Sequence, residues 1–254
     1  MAGAQTTPAV PGAGLSPAQK IRAERLTSLF ENDTLKFQYG YAEKLGDGRG
    51  ITAGRVGFTT GTGDACEVVM RFTAQVPGNG LAVYLPELLR LNEASNRDDT
   101  SGLGGFISAW QQAARDPRFC AVQDAVMDEM YYEPAVRHAD ELGLHTALAR
   151  AAIYDAIIQH GDGEDQDGVP ALIRSADKAA RGNPKTGTDE KVWLHAFLEA
   201  RRADLAHSFD PATRKAWAES VDRVDVFLAI EASGNYDLHG PIKVHSHDFN
   251  KTIP

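Results

Sequence analysis

Apolar positions at Ile21, Leu26, Leu29 and Phe30 supply one face of a helix near the N-terminus. Its start is marked by Ser16-Pro17-Ala18-Gln19. The serine caps free N–H groups, proline suits the first turn, and glutamine three residues on completes a capping box. The helix should fade within FENDT, residues 30–34, which puts Glu31 at its C-terminal end. The negative end of the helix dipole disfavours a carboxylate there and should push its pKa upward. From Ile51 to Thr60, β-branched residues and glycines point to short antiparallel strands. Helical periodicity runs through the rest and predicts helices over 64–75, 85–94, 106–114, 117–131, 142–159, 169–180, 189–206 and 211–231. No other strand and no internal repeat is predicted. The fold class is therefore mainly α with a small antiparallel β-sheet (α+β).

At 254 residues the chain is long enough for one large domain or two lobes. Residues 1–15 carry no charge and have the composition of a flexible tail, which leaves 16–254 as a single domain. That tail has neither a basic start nor a long apolar run, so it is not an intact signal peptide. No apolar run approaches the ~20 residues that span a bilayer, so no membrane partner is expected. The net charge of −9 argues against nucleic acid, whose partners carry a basic footprint; such acidity usually serves solubility, and its sharper reading is attraction for a cationic ligand. Cys66 and Cys120 sit in apolar, helix-like stretches and read as two buried free thiols.

Residues 45–64, LGDGRGITAGRVGFTTGTGD, hold seven glycines. A phosphate loop would need a Lys-Ser/Thr pair opening a helix, and none follows. HGDGEDQDGVP, residues 160–170, fits a calcium loop poorly. With Gly168 at the turn, Gly163 and Arg174 would occupy the first and closing ligand positions. It reads as a solvated acidic loop. The eight histidines form no metal motif, and HSH at 245–247 lies in a tail, so neither metal nor cofactor is expected. Trp110, Trp193 and Trp217 stand at helical spacing among apolar residues and read as core.

What remains is a pair of acids, Glu31 at a helix end and Asp47 just before the strands. Cleavage of a glycosidic bond needs two carboxyl groups, one to protonate the leaving oxygen and one to activate water or stabilise charge. The surroundings of this pair are specific. Glu31-Asn32, Gln38-Tyr39, Tyr41, Gly46-Asp47-Gly48-Arg49-Gly50, Thr52, Gly57-Phe58 and Gly61-Thr62-Gly63-Asp64 form one signature. PGN at 77–79, YLP at 84–86, SGLG at 101–104, YDAI at 154–157, His160-Gly161 and FLEAR at 197–201 extend it. Together they resemble the family 46 glycoside hydrolases, the bacterial chitosanases.

The resemblance implies a two-lobed, lysozyme-like fold with a substrate cleft between the lobes. It implies an inverting, endo-acting, secreted enzyme that acts on chitosan and glucosamine oligosaccharides; a monomer is the default expectation. Glu31 matches the general acid, Asp47 the general base, and Thr52 the hydroxyl that helps hold the attacking water. Asp64 matches an acid that binds a sugar amino group; its other reading is a helix N-cap. Asn32, Tyr41, Arg49, Gly57 and His160 match cleft positions that contact sugar, although Arg49 could instead hold Asp47 in place. Asp155 lies on an apolar helical stripe and should be buried, with Arg201 its matching ion-pair partner. Arg214 is a candidate further member of that network. A lysozyme-like hydrolase or lytic transglycosylase acting on peptidoglycan, and a catalytically silent chitosan-binding protein, are the alternative readings.

Overall fold

The computed structural model describes residues 14–254, so residues 1–13 of the expected tail lie outside the described residues. Helix α1 (Pro17–Asn32) leads into three two-residue strands, β1 (Ala42–Glu43), β2 (Thr52–Ala53) and β3 (Phe58–Thr59). Then come α2 (Asp64–Gln75), α3 (Leu85–Glu93), α4 (Phe106–Ala113), α5 (Pro117–Met127), α6 (Glu133–Leu142) and α7 (Ala147–His160). The chain continues through α8 (Val169–Ala180), α9 (Glu190–Ala206), α10 (Arg214–Ala218) and α11 (Asp222–Ala232). It ends in a hairpin of β4 (Ile242–His245) and β5 (Asn250–Ile253). The chain divides into two compact units, one joining the residues up to Lys36 with Tyr131–Pro254, the other Phe37–Met130.

The first unit is built around α7. Its sequence, ALARAAIYDAIIQH, is apolar on nearly every side, the pattern of a helix enclosed by others, and all but two of its residues are buried. Helices α1, α6, α8, α9 and α11 pack on it. α1 starts with the expected capping box: Ser16 Oγ accepts from the Gln19 N–H, and Gln19 Oε1 accepts from the Ser16 N–H at 3.0 Å. It carries Leu26 and Leu29 into the core and leaves Glu31 exposed in its last turn.

In the second unit the strands pair antiparallel in the order β1-β2-β3, with Glu43 opposite Thr52 and Thr52 opposite Thr59. Phe58, Phe72, Phe106, Trp110 and Phe119 form its aromatic core. The Trp110 indole N–H donates to the Tyr39 carbonyl at 3.0 Å, which ties the segment before β1 to that core. Cys66 is buried and Cys120 half-buried, and both thiols are free.

Several boundaries differ from the sequence expectation. The predicted 117–131 helix runs through a π-helical turn at Asp128–Tyr132 straight into α6, which the apolar spacing had not revealed. α6 ends at Leu142 with Gly143 in the left-handed region, so the next helix starts at Ala147, not at 142. The predicted 211–231 helix is two: Ser220 bonds back to the Trp217 carbonyl at 2.8 Å, and the chain breaks between α10 and α11. The C-terminal hairpin was also not expected. Its buried residues alternate over only four positions, Ile242 and Val244 inward and Lys243 and His245 outward. HSH at 245–247 is therefore no tail; it enters a turn whose Ser246 hydroxyl and Asp248 N–H both donate to Asp222.

Candidate active site

Glu31 has a side chain 42% exposed, and its Oε1 accepts from Arg223 Nη1 at 2.7 Å. Arg223, in the first turn of α11, is itself buried. Its Nη2 and Nε donate to the two carboxylate oxygens of Asp155 at 2.9 and 3.2 Å. Arg201 Nη2 lies 2.8 Å from Asp155 Oδ2, and the Thr27 hydroxyl donates to Oδ1 at 2.8 Å. Thr27 and Glu31 are four residues apart on α1, so one helix face meets the whole network. Asp155 is fully buried. Burial alone would raise its pKa, but Arg223 and Arg201 overcome it and hold the carboxyl down at about 2. Two carboxylates and two guanidinium groups thus share one network, with Glu31 at its exposed end.

Arg223 is the member of this network that sequence reasoning missed. Arg214, the candidate offered for this place, instead donates to the carbonyls of Ser208 and Phe209 at 3.0 and 3.2 Å. A signal existed: Arg223, Val226, Phe227 and Ile230 share a helix face, and an arginine on such a face needs an ionic partner.

His160 needs a correction. Its ring is wholly buried, so it does not offer itself to a sugar. The ring is enclosed by Arg201, Asp204, the Asp167 carbonyl and the edge of the half-buried Trp217. The acidic loop at 160–170 is likewise only partly solvated. Asp167 is buried and its carboxylate accepts from the Ser208 hydroxyl and the backbone N–H groups of Phe209 and Asp210. Asn32 is exposed beside Glu31 at the end of α1.

Asp47 belongs to the second unit, on the loop between β1 and β2. Arg49 grips it: Nε and Nη2 donate to Oδ2 at 2.9 and 2.6 Å, and the Arg49 N–H donates to Oδ1 at 3.1 Å. These bonds hold the Asp47 carboxyl below its ordinary pKa. The loop turns through glycines because its backbone demands it. Gly50 has a φ of +80°, and a Cβ there would sit 2.2 Å from Thr60 Oγ1. The Gly50 N–H donates to Asp98 at 3.0 Å, which anchors the end of the loop.

Thr52 follows on β2. It is buried, and its Oγ1 has no hydrogen-bond partner among the described residues. Gly57, in the turn before β3, stands against its methyl group; a Cβ at Gly57 would lie 3.3 Å from Thr52 Cγ2. Tyr41 is 37% exposed and its hydroxyl donates to Glu43 at 3.1 Å. Asp64 is the first residue of α2, one position after the N-cap Gly63. Its Oδ1 accepts from the Thr59 N–H, the Thr62 hydroxyl and the Ala65 N–H at 2.7, 2.7 and 2.9 Å. All three bonds fall on Oδ1, so Oδ2 keeps its accepting capacity. Among the described residues, no three His, Cys, Asp or Glu side chains gather as a metal site would require.

The first unit offers an exposed carboxyl backed by a buried arginine, and the second an ionised carboxylate held by an arginine. The second adds a buried hydroxyl and an acid with one oxygen uncommitted. Comparison with known proteins agrees with the family resemblance. The model of glycosyl hydrolase family 46 matches residues 25–242. A chitosanase of Bacillus subtilis (strain 168) is 54% identical over 241 residues, covering 95% of this chain and 87% of that protein. The crystal structure of a mutant chitosanase from Bacillus subtilis MY002 complexed with 6 GlcN superposes with a TM-score of 0.83 at 54% identity. It is covered in full, together with 95% of this chain. The family 46 chitosanase of Gynuella sunshinyii, in complex with chitotetraose, gives a TM-score of 0.82 at 43% identity, with 94% of this chain and 99% of that one covered. The chain is a member of glycosyl hydrolase family 46.

Proposed function

We propose that this protein is an endo-acting chitosanase that cleaves β-1,4 bonds between glucosamine units with inversion at the anomeric carbon. Glu31 protonates the glycosidic oxygen. Asp47 takes a proton from the attacking water, and Thr52 helps hold that water through its uncommitted hydroxyl. Inversion follows from one displacement by water, with no covalent sugar–enzyme intermediate. Asp64 pairs its free oxygen with a glucosamine ammonium, a charged bond that an acetylated nitrogen cannot make. Asn32, Tyr41, Arg49 and Gly57 contact sugar around this centre.

The observation that carries this reading is the position of Glu31. An exposed carboxyl at a helix end, tied to a buried arginine, is oriented without being removed from reach of substrate. A polymer substrate cannot enter a cell, so secretion belongs to the same proposal, with a monomer as the default state. The decisive experiment is hydrolysis of glucosamine hexamer by the purified wild type and by Glu31→Gln, followed by proton NMR of the newly formed ends. The wild type should release α-anomers first, and Glu31→Gln should lose at least about a hundredfold in kcat while still binding the hexamer. Initial β-anomers would refute inversion. Near-wild-type turnover by the variant would refute the acid.

A further inference from the structure

His160 has no exposed ring surface, yet both of its nitrogens are engaged. Arg201 Nε lies 3.3 Å from His160 Nε2. A guanidinium can only donate, so Nε2 is the unprotonated nitrogen of a neutral ring. Nδ1 then carries the hydrogen and donates to the Asp167 carbonyl at 3.0 Å, with Asp204 Oδ2 3.5 Å away. Partners on both sides thus dictate one tautomer.

Arg201 needs that acceptor. It is fully buried, and its Nη2 divides between Asp155 and Gln159 Oε1, each at 2.8 Å. Its Nη1 has no partner among the described residues. Without His160, the Nε hydrogen would be a second unpaired donor on one buried guanidinium. A group in that state turns to find other acceptors, because an unsatisfied buried donor is costly.

We propose that His160 is a positioning residue for Glu31: by accepting from Arg201 Nε it orients the guanidinium that holds Asp155, and Asp155 holds Arg223 against Glu31. This rests on the reading of Glu31 as the general acid. The chain of contacts runs from Glu31 through Arg223, Asp155 and Arg201 to His160, each link a hydrogen bond or ion pair of 3.3 Å or less. Protonation of Nε2 would set two donors and two cations face to face and break the last link. Burial, joined by the charge of Arg201, pushes the His160 pKa down, against the pull of Asp204, which keeps the ring neutral near neutral pH.

The test compares His160→Leu, His160→Gln and Glu31→Gln with the wild type on glucosamine hexamer. A glutamine can place Oε1 near the Nε2 position and accept from Arg201; leucine cannot. His160→Leu should lower kcat at least about tenfold with KM within about twofold, and His160→Gln should recover most of the loss. A raised KM with kcat intact would mean sugar contact and overturn the proposal, as would equal behaviour of the two variants. Nitrogen-15 NMR of the wild-type ring decides the matter even if the leucine variant does not fold. The Nδ1–H tautomer is expected, and an Nε2–H tautomer overturns the proposal. Retained turnover in Glu31→Gln would overturn both this inference and the acid assignment. An inactive Glu31→Gln beside a fully active His160→Leu would overturn this inference alone.

Discussion

Arg49 touches Asp47 three times, through Nε, Nη2 and its own backbone N–H. The side chain depresses the Asp47 pKa, so the carboxylate stays ionised to lower pH but is a weaker base. Arg49→Ala keeps only the backbone bond. The Asp47 pKa should then rise toward the usual carboxylate range, and protonation should silence the base at a higher pH than in the wild type. The acid limb of the kcat/KM profile is expected to move upward in pH, measured on glucosamine hexamer. A limb that stays in place, or moves down, would show that Asp47 does not set it. The same experiment separates the two readings of Arg49. A pure sugar contact would raise KM and leave the limb where it was.

Helix α1 carries Glu31, the proposed acid, and its start is set by one serine. Ser16 Oγ accepts from the Gln19 N–H, so Ser16→Ala should cost about 1 kcal/mol of stability. Urea unfolding would read that loss as a lower midpoint with an unchanged slope, and hexamer turnover at 25 °C should be unaffected because Glu31 lies at the opposite end. No change in midpoint would mean the cap is redundant. This start was legible because everything that marks it lies within four residues. The helices at 64–75 and 169–180 were legible for the same reason, each bounded by local glycine signals and filled with periodic apolar residues. The network behind Glu31 was not. Thr27 meets Asp155 across 128 positions, and Glu31 meets Arg223 across 192, so no local pattern encodes either pairing. Burial of Asp155 could be read from its apolar stripe and its partner Arg201 from the family resemblance; the face of α11 signals that Arg223 is buried but not that it pairs with Asp155 and Glu31. His160 was placed among the sugar contacts by the family resemblance alone, and nothing local in the sequence shows that its ring turns inward to α9 and the 167 carbonyl. The C-terminal hairpin escaped because four residues are too short an alternating run to mark a strand, and only Ile242 and Val244 of β4 turn inward.

Taken over the full chain, acids outnumber bases by 35 to 26 and leave a net charge of −9. That excess means little for the fold, but it acts on what approaches. A glucosamine polymer carries one ammonium per deacetylated sugar, and a negative surface raises its local concentration before any specific contact forms. Such attraction operates across water and is open to screening, which shortens its reach to about 8 Å at physiological salt and about 3 Å at 1 M. The buried bonds behind Glu31 are largely shielded from that effect, since Asp155 and Arg201 have no exposed surface. Salt should therefore act on capture and spare the chemical step. Raising sodium chloride from about 0.05 to about 0.5 M is expected to raise KM for long, fully deacetylated chitosan several-fold with kcat nearly unchanged. The rise should be smaller for the hexamer, which presents fewer charges at once. Initial rates over a salt series, with both substrates in parallel, measure this directly. A flat KM would mean that short-range contacts such as that proposed for Asp64 supply the affinity alone. A falling kcat would mean that the ion pairs around the reacting groups are more open to solvent than their burial implies.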